Sequence, residues 1–584
     1  MIKIAKRFLN WWAALAALIM MCIQVACDLY LPTVTSNLID NGIMKKDLSY
    51  VWQIGGVMLV VALIGLLAAV GNVFFASTQG MKVGERLRNA IYQRVLHFST
   101  NEMSRFGSSS LITRSTNDIV QIQNVMLQTM RMMLQSPLML VGACVMAYSR
   151  EPRLTRVLAL SLPVLVVAVV VVMYFAMPYF RVMQQKVDNI NRVFREGLTG
   201  VRVIRAFNQD QREQDRFHRV NEDYTQVGFH AFTLMSFMFP IMTLVLSMTN
   251  VGIIWYGGRL IAGREMQIGN LITFMTYANQ ILMSFMMLSF IYFFIPRAEV
   301  SARRINAVLE QPISVNDLPQ DQLQPLKKDQ PASLEFKNVD FQYDGAQHLA
   351  LQNLNFKVTA GQILAIIGGT GSGKSTLVNL IPRLFDVASG EVLVNGQNVA
   401  RMSQHDLHSL VSITQQKAVL FSGTVRSNLA FGNPNATDEQ MWQALKIAKA
   451  DNFVKEQGGL DMVVEQNGDN FSGGQRQRLA IARTIIKQAA VYIFDDSFSA
   501  LDFKTDAELR MALKDDQQVA QAVTVIVAQR ISTVADANLI LVLDDGQVVG
   551  QGTYEELAAH NRVYQEIIKS QLQEGDDGHG QTNE

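Results

Sequence analysis

The chain has 584 residues, of which 49% are hydrophobic, and it balances 51 lysines and arginines against 50 aspartates and glutamates. This composition excludes a disordered chain, which would be poor in large aliphatic residues, and three cysteines are too few for a disulfide scaffold. A net charge of +1 argues against a protein that mainly binds nucleic acid. The averages conceal two unlike halves, because long apolar runs fill the first 300 residues and the rest has the composition of a soluble domain.

Six segments of the first half are long enough to cross a bilayer, whose hydrocarbon core of about 30 Å requires roughly 20 apolar residues in a helix. They are 11–31, 51–76, 132–148, 155–179, 231–260 and 268–296. We interpret the first as an uncleaved span and not a signal peptide, because its apolar run is long and further spans follow. Gln24 and Asp28 interrupt it. An intramembrane acid suggests a functional site, and an acid near the outer end, satisfied by water or a neighbouring helix, is an equally good interpretation.

Two long loops, 78–131 and 180–230, are rich in arginine and lysine. Basic residues favour the cytoplasmic side, so the N-terminus, both loops and the C-terminal half are predicted to be cytoplasmic. Both loops show amphipathic helical spacing, which predicts helices that extend the spans into the cytoplasm. Breaks near 106–110 and 201–210 are either turning points that contact another domain or plain solvated helix.

The stretch 301–332 is polar and holds four of the chain's 13 prolines. It is predicted to link a transmembrane domain, 1–300, to a second domain, 333–570. The acidic, polar tail, 571–584, is predicted to be disordered.

A glycine-rich motif follows an apolar run at 362–367 that is typical of a buried strand. The motif has the form G-x-x-x-x-G-K-[ST] between a predicted strand and a predicted helix, which is the context of a phosphate-binding loop. Its residues are Gly368, Gly369, Thr370, Gly371, Ser372, Gly373, Lys374, Ser375 and Thr376. Backbone N–H groups and the helix N-terminus would hold phosphate oxygens. Lys374 would contact the β- and γ-phosphates, and Ser375 would ligate Mg²⁺. The second domain is therefore predicted to bind a nucleotide.

A second apolar strand, 491–495, ends in Asp495, which is predicted to support Mg²⁺ near the phosphates. Just before it, a predicted helix begins with the signature Ser472, Gly473, Gly474 and Gln475, followed by Arg-Gln-Arg. At this point the sequence resembles the ATP-binding cassette (ABC) transporter family. The resemblance implies that the signature faces the phosphate-binding loop of a second motor domain, with ATP between them.

Four further residues match landmarks of that family. Tyr343 matches the aromatic residue that stacks on adenine. Gln416 matches the Q-loop glutamine that senses Mg²⁺ and touches the membrane domain, although the usual preceding proline is a glutamine here. Asp502 lies in a segment that matches the D-loop, and Gln529 lies in a segment that matches the switch loop (527–533).

The resemblance covers nearly the whole chain and implies an exporter-type half-transporter in the bacterial inner membrane. Its expected fold is a six-helix α transmembrane bundle with long intracellular helical extensions, followed by an α/β P-loop NTPase domain with a helical subdomain. The breaks at 106–110 and 201–210 would then be coupling helices. ATP and Mg²⁺ are the implied cofactors, and membrane lipid surrounds the spans.

Two residues depart from the family pattern. Asp496 stands where the family has Glu, the base that polarises the attacking water, and Gln529 stands where the family has His. The shorter side chain withdraws the carboxylate by roughly 1.5 Å, and misplacement on this scale costs about 10²-fold in rate. Glutamine can hydrogen-bond to a γ-phosphate but cannot share a proton. The pattern resembles the degenerate-site subunit of bacterial heterodimeric multidrug-type exporters, which implies a partner half-transporter that supplies Glu and His.

The favoured function is ATP-driven export of amphipathic compounds, either drugs or lipids, with no nucleic-acid partner. Methionines and phenylalanines in the spans suit an adaptable apolar surface, and packing or lipid contact explains them at least as well. Two alternatives stay open: import of siderophore-like compounds by the same fold, and a regulatory ATP-binding subunit. Transport direction and transport by the purified pair would separate them.

Overall fold

The computed structural model describes residues 1–327 and 330–577, with side chains described except at 289–294, 296 and 572–577. Contacts divide the chain into two units. The first comprises Met1–Arg94 and Ser108–Glu310, and the second comprises Val95–Gly107 together with the chain from Gln311 onwards. The second unit thus takes a short segment from within the predicted transmembrane domain.

All regular structure that is described up to residue 310 is helical. The α-helices are α1 (Ile2–Phe8), α2 (Trp11–Asn37), α3 (Leu48–Leu96), α4 (Thr100–Phe106), α5 (Ser108–Ser115), α6 (Asn117–Gln128), α7 (Gln135–Arg150), α8 (Thr155–Thr199), α9 (Val201–Ala206), α10 (Asp210–Ser236), α11 (Met238–Ala262) and α12 (Ile268–Leu309). Two π-helical turns, Leu38–Ile43 and Thr129–Met133, follow α2 and α6.

Six helical segments are long and apolar enough to cross a membrane, which confirms the predicted six-span bundle. They are Trp11–Ile43, Leu48–Leu96, Ser108–Arg150, Thr155–Thr199, Asp210–Ala262 and Ile268–Leu288. Helix α3 has 49 residues and α8 has 45, about twice the roughly 20 that a bilayer requires. The helices therefore continue well past the apolar stretches.

Within the first unit, α12 packs against α2, α6 and α7, and α8 packs along α10 and α11. Tyr277 of α12 is fully buried. Its hydroxyl donates to the backbone oxygen of Leu29 at 2.7 Å and lies 2.8 Å from the hydroxyl of Thr33, both in α2. Nearby, Gln280 Nε2 donates to the backbone oxygen of Asp28 at 3.2 Å. A neighbouring helix thus contacts the chain where polar residues interrupt the first span.

Both predicted turning points are breaks between helices. Gly107 separates α4 from α5 with a φ of 72°, which favours glycine because it lacks a Cβ. The second break holds α9, which has no buried residue. Val203 is 60% exposed and Phe207 is 72% exposed. Residues 106–107 of the first break belong to the second unit and residues 108–110 to the first unit. The second break presents apolar side chains on the surface of the first unit.

The predicted linker, 301–332, begins too early. Helix α12 continues to Leu309, because Ala302, Ile305 and Val308 recur at helical spacing and are all buried. The prolines that suggested a linker from residue 301 all lie after this helix.

The second unit is an α/β domain. Its strands are β1 (Ser333–Phe341), β2 (Leu351–Thr359), β3 (Ile363–Gly368), β4 (Ser389–Val394), β5 (Gln397–Asn398), β6 (Val411–Thr414), β7 (Gly423–Thr424), β8 (Val463–Val464), β9 (Val491–Asp495), β10 (Val523–Val527), β11 (Leu539–Asp544) and β12 (Gln547–Gly552). Its helices are α13 (Lys374–Leu380), α14 (Gln404–Leu410), α15 (Val425–Ala430), α16 (Asp438–Ile447), α17 (Asp451–Glu456), α18 (Gly473–Ile485), α19 (Phe503–Asp515), α20 (Ile531–Val534), α21 (Tyr554–His560) and α22 (Arg562–Asp577).

The main sheet has the order β12-β11-β3-β10-β9-β6, and β11, β3, β10, β9 and β6 run parallel. Strands β9 and β10 are buried along their whole length, as expected of parallel strands that are covered on both faces. A second, antiparallel sheet has the order β2-β1-β4-β5. Helices α15 to α18 lie between β6 and β9 in the chain and form a helical insertion. The predicted P-loop fold with a helical subdomain is confirmed.

The predicted disordered tail, 571–584, is wrong for its first seven residues, since α22 runs to Asp577. Tyr564 is fully buried, and Ile567 and Ile568 pack on the domain core. The same helical face continues to Gln571, which hydrogen-bonds to the switch loop. Residues 578–584 lie outside the described residues.

Candidate functional site

The site lies at one edge of the main sheet. Parallel strands place their carboxyl ends at the same edge, so the residues that follow β3, β9, β10 and β6 come together there. These are the glycine-rich loop, the pair Asp495 and Asp496, Gln529 and Gln416. Sequence motifs that lie far apart in the chain thus form one cluster.

The glycine-rich loop is shaped to accept an anion. Gly371 and Gly373 have φ values of 87° and 100°, which L side chains rarely adopt. A Cβ on Gly368 would lie 2.1 Å from the backbone oxygen of Leu543, so the loop tolerates no side chain at that position. The hydroxyl oxygen of Ser372 is buried and has no hydrogen-bond partner among the described residues. An orphaned donor inside a loop of this shape fits a phosphate oxygen.

Lys374 lies folded over the same loop. Its Nζ donates to the backbone oxygens of Gly368 at 2.8 Å and Gly369 at 2.6 Å. Burial lowers the pKa of Lys374, and the negative charges of Asp496 and Asp495 act in the opposite direction. The ammonium group is thus held next to the anion-accepting loop by contacts that a phosphate could replace.

Ser375 and Asp495 form the oxygen pair suited to a hard cation. Ser375 Oγ donates to Asp495 Oδ1 at 3.2 Å. Asp495 is only 5% exposed, and burial raises its pKa, which Asp496 raises further while Ser375 and Lys374 lower it. No group of three or more His, Cys, Asp or Glu residues able to hold a metal occurs among the described residues. Mg²⁺ at this pair would need further oxygen ligands, which the side-chain amide oxygen of Gln416, phosphate and water can supply.

Asp496 accepts two side-chain amides on one oxygen. Gln416 Nε2 donates to Asp496 Oδ2 at 3.1 Å, and Gln529 Nε2 donates to the same oxygen at 2.8 Å. Asp496 itself has a φ of 46°, and its N–H donates to the backbone oxygen of Val527 at 3.0 Å. The two residues that depart from the family pattern therefore contact each other directly, with Gln416 as the third member.

Tyr343 stands beside the end of the glycine-rich loop. Its hydroxyl lies 2.8 Å from Thr376 Oγ1. Its ring meets Phe341 and Phe385 edge-on, with centroids 4.8 Å and 5.5 Å apart. The side chain is 39% exposed, so a packed aromatic surface remains open next to the phosphate-binding loop.

The signature forms the start of α18. Ser472 Oγ accepts from Gln475 N–H at 3.3 Å, and Gln475 Oε1 accepts from Ser472 N–H at 3.0 Å, which makes a capping box. Ser472 and Gly473 are exposed. A Cβ on Gly474 would lie 3.3 Å from the backbone oxygen of Ala500, which places the signature next to the D-loop. In the described structure no hydrogen bond joins the signature to the glycine-rich loop or to Asp496.

Asp502 serves as the N-cap of α19. Its Oδ1 accepts from the N–H of Thr505 at 2.9 Å and its Oδ2 accepts from the Thr505 hydroxyl at 2.8 Å. These hydrogen bonds lower the pKa of Asp502. The residue is thus a helix cap in this chain, and it lies close in sequence to the buried Asp495 cluster without joining it.

Sequence reasoning missed Gln571, because the polar tail was predicted to be disordered. Gln571 Oε1 accepts from Ile531 N–H at 2.9 Å, and Gln571 Nε2 donates to the backbone oxygen of Gln529 at 2.5 Å. The detectable signal was the helical spacing of Ile567 and Ile568, which places Gln571 on the same face of α22.

Comparison with known proteins follows the same two-part division. The sequence profile of the ABC transporter transmembrane region matches residues 14–285, and that of the ABC transporter domain matches residues 351–499. An uncharacterized ABC transporter ATP-binding protein of Mycobacterium tuberculosis (strain CDC 1551 / Oshkosh) is 40% identical over 581 residues, covering 98% of each chain. The chain belongs to the ABC transporter family. Its ATPase domain is therefore coupled to transport across a membrane.

Two further matches extend this assignment. The ABC transporter ATP-binding protein YfiB of Bacillus subtilis (strain 168) is 33% identical over 571 residues, which cover 97% of this chain and 98% of that protein. A solved structure of a bacterial Atm1-family ABC exporter with ATP bound superposes with a TM-score of 0.77 at 23% identity, covering 98% of this chain and 99% of that chain. This ABC transporter therefore has an exporter-type fold. The weak-site role of Asp496 and Gln529 stays a prediction.

Proposed function

We propose that this ABC transporter is one half of a heterodimeric exporter of amphipathic compounds, either drugs or lipids, in a bacterial inner membrane. Its termini and motor domain lie in the cytoplasm. Its partner is a second half-transporter that carries Glu after its Walker B aspartate and His in its switch loop. The observation that carries the proposal is the contact of Gln416 and Gln529 with one oxygen of Asp496.

In this proposal the site binds ATP with Mg²⁺. Tyr343 stacks on adenine, the glycine-rich loop wraps the phosphates, and Lys374 neutralises them. Ser375, Asp495 and Gln416 support the metal, which neutralises charge that develops on the phosphates when it is bound. The open face of Tyr343, the orphaned Ser372 hydroxyl and the contact of Ser375 with the buried Asp495 support these roles.

Hydrolysis at this site is proposed to be slow for two reasons. The Asp496 carboxylate is one methylene shorter than Glu, and a misplacement of about 1 Å costs roughly 10²-fold in rate. One oxygen of this carboxylate, Oδ2, already accepts two amide hydrogen bonds, which occupy positions where it could otherwise accept from water. Neither Gln416 nor Gln529 can take up a proton in place of Asp496. The three residues are therefore proposed to support ATP binding more than ATP hydrolysis.

The intact signature gives the chain a second role. Ser472, Gly473, Gly474 and Gln475 form a helix N-terminus whose first two residues are exposed, and a helix N-terminus favours a negatively charged ligand. In the proposed heterodimer this surface completes the ATP site of the partner, and Asp502 lies at the adjoining D-loop. The chain thus contributes a weak site of its own and half of a competent one.

ATP turnover by the purified chain, measured without its partner in lipid nanodiscs, tests the proposal. We expect turnover close to that of a Lys374→Ala control, and a large increase once the partner is added. Fast turnover by the chain alone that Asp496→Asn abolishes would contradict the weak-site assignment. Transport is tested separately, by following ATP-dependent accumulation of an amphipathic dye in inside-out vesicles that contain the pair. Movement in the opposite direction would favour an importer, and no movement would favour a regulatory subunit.

A further inference from the structure

The C-terminal helix reaches the loop that carries Gln529. The side-chain amide of Gln571 contacts the backbone on both sides of Arg530, by accepting from Ile531 N–H at 2.9 Å and donating to Gln529 O at 2.5 Å. We infer that Gln571 is a positioning residue: it fixes the backbone of the switch loop so that the Gln529 amide stays against Asp496.

The side chain of Gln529 has little packing support, so its position depends on how the backbone of the switch loop is held. The Gln529 side chain is exposed, so packing does not hold it, and the helix that follows, α20, has only four residues. The two hydrogen bonds of the Gln571 amide therefore act directly on the backbone next to Gln529. Gln529 reaches Asp496 at 2.8 Å only while the backbone at residues 529–531 stays in place.

The opposite side of the loop is held by α19. Arg510 Nη1 donates to the backbone oxygens of Ser532 at 3.0 Å and Thr533 at 3.4 Å, and the guanidinium of Arg530 lies over the ring of Phe503 at 4.6 Å. Since Phe503 is the first residue of α19, the loop lies between the D-loop helix and α22. Gln571 supplies the contact from the α22 side.

Helix α22 is itself packed on the domain core, so it can hold the Gln571 side chain in a fixed place. Tyr564 is fully buried, and Ile567 and Ile568 pack on the core of the domain. Tyr564 N–H donates to Asn561 Oδ1 at 2.8 Å at the start of the helix. Gln571 lies four residues after Ile567 on the same face, at the end of this anchored stretch. Movement of α22 would therefore reach the backbone of the switch loop through Gln571, in addition to the packing of Ile531 on the same core.

Gln565 provides a matched control on the same helix. Its Nε2 donates to the backbone oxygens of Ala558 at 2.9 Å and Ala559 at 3.2 Å, which joins α22 to α21 and does not involve the switch loop. Gln565→Ala and Gln571→Ala each remove one amide that contacts two backbone positions. A general loosening of α22 affects both variants, whereas the proposed positioning affects only Gln571→Ala.

Amide hydrogen exchange on the full-length chain in nanodiscs is the first measurement. In Gln571→Ala we expect exchange at residues 529–533 to rise roughly tenfold, the effect of removing one hydrogen bond that holds an amide, with residues 554–560 unchanged. In Gln565→Ala we expect exchange at residues 554–560 to rise and exchange at residues 529–533 to stay unchanged. Unchanged exchange at 529–533 in Gln571→Ala, or an equal rise in both variants, would overturn the inference.

The second measurement, the ratio of ATP to ADP affinity, rests on the proposed function and adds to it that the Gln529 amide hydrogen-bonds to the γ-phosphate, as glutamine can. Gln571→Ala is expected to lower this ratio about as much as Gln529→Ala does, roughly three- to tenfold. The double variant should be no worse than Gln529→Ala, because both act through the same amide. Additive effects would overturn the inference. A ratio that stays unchanged even in Gln529→Ala would contradict the proposed function of Gln529, and the positioning role would then be decided by the exchange result.

Discussion

The catalytic side and the signature side of the motor domain hold their polar groups differently. On the catalytic side, Gln416 and Gln529 both donate to one oxygen of Asp496, a residue that is only 9% exposed. On the signature side, Ser472 and Gln475 satisfy only each other in an exposed capping box. One set of groups is engaged inside the chain, and the other lies at an exposed helix N-terminus. The proposed function uses this difference: a slow ATP site within the chain, and a signature that completes a site in the partner.

The strongest test of this comparison converts the catalytic side to the family pattern. Asp496→Glu combined with Gln529→His should raise ATP turnover of the isolated chain by about 10²-fold or more, because the carboxylate regains its reach and a proton-sharing group returns. Phosphate release from nanodisc preparations measures it. Each single variant should give less than the pair, and adding Lys374→Ala should return turnover to background. If the double variant turns over ATP no faster than the native chain, the two substitutions are not what limits hydrolysis.

The next test breaks the signature side. Ser472→Ala should lower ATP turnover of the chain with its partner by about tenfold or more, the effect of losing one hydrogen bond to a charged group. Thr437→Ala is the matched control, because Thr437 forms the same kind of capping box with Gln440 at the start of α16. Both variants lose about 1 kcal/mol of helix stability. Equal turnover in the two variants would mean that Ser472 acts only as a helix cap.

A smaller effect on nucleotide binding is expected at Tyr343. This residue lies on the catalytic side but is not one of the two residues, Asp496 and Gln529, that depart from the family pattern. Tyr343→Ala should weaken ATP and ADP about fivefold alike, since stacking on a base is worth about 1 kcal/mol or more and does not involve the γ-phosphate. Tyr343→Phe keeps the ring and loses only the contact with Thr376, so it should change both affinities little. Competition with a fluorescent nucleotide gives the values. A selective loss of ATP binding would place Tyr343 near the γ-phosphate and not at the base.

The fold and the site differ in how far the sequence predicts them. Spans and motifs are local patterns: a run of apolar residues defines a helix that crosses a membrane, and a strand followed by Gly368 to Thr376 defines a phosphate-binding loop. The shared contact on Asp496 depends on the parallel register of β6, β9 and β10, which no local pattern encodes. The same holds for the segment Val95–Gly107, whose contacts place it in the motor unit.

The smallest predicted effect concerns Asp495, the buried acid next to the altered pair. Burial raises the pKa of Asp495, with Asp496 adding to the effect. Because the pKa is higher in the folded chain than in the unfolded chain, the stability that this group contributes is fully present below its unfolded pKa. It is lost as the pH rises through the folded pKa. At neutral pH without nucleotide, the ionised carboxylate therefore destabilises the fold.

Asp495→Asn removes that charge and keeps an oxygen for Ser375, so it should stabilise the nucleotide-free chain at pH 7 by about 1 kcal/mol. This gain in stability should shrink as the pH falls, because Asp495 of the native chain then becomes protonated. Thermal unfolding of both proteins between pH 4 and 8 measures the difference. Asp502→Asn is the control with the opposite sign, because hydrogen bonds lower the pKa of Asp502 and its native contribution is lost as the pH falls. The Asp495 variant should also lose its stabilisation by Mg²⁺ with ATP, whereas Asp502→Asn retains it. If Asp495→Asn is instead less stable at pH 7, the contacts with Ser375 and Lys374 stabilise the ionised carboxylate by more than its burial costs. The catalytic side would then already have its binding geometry without a ligand.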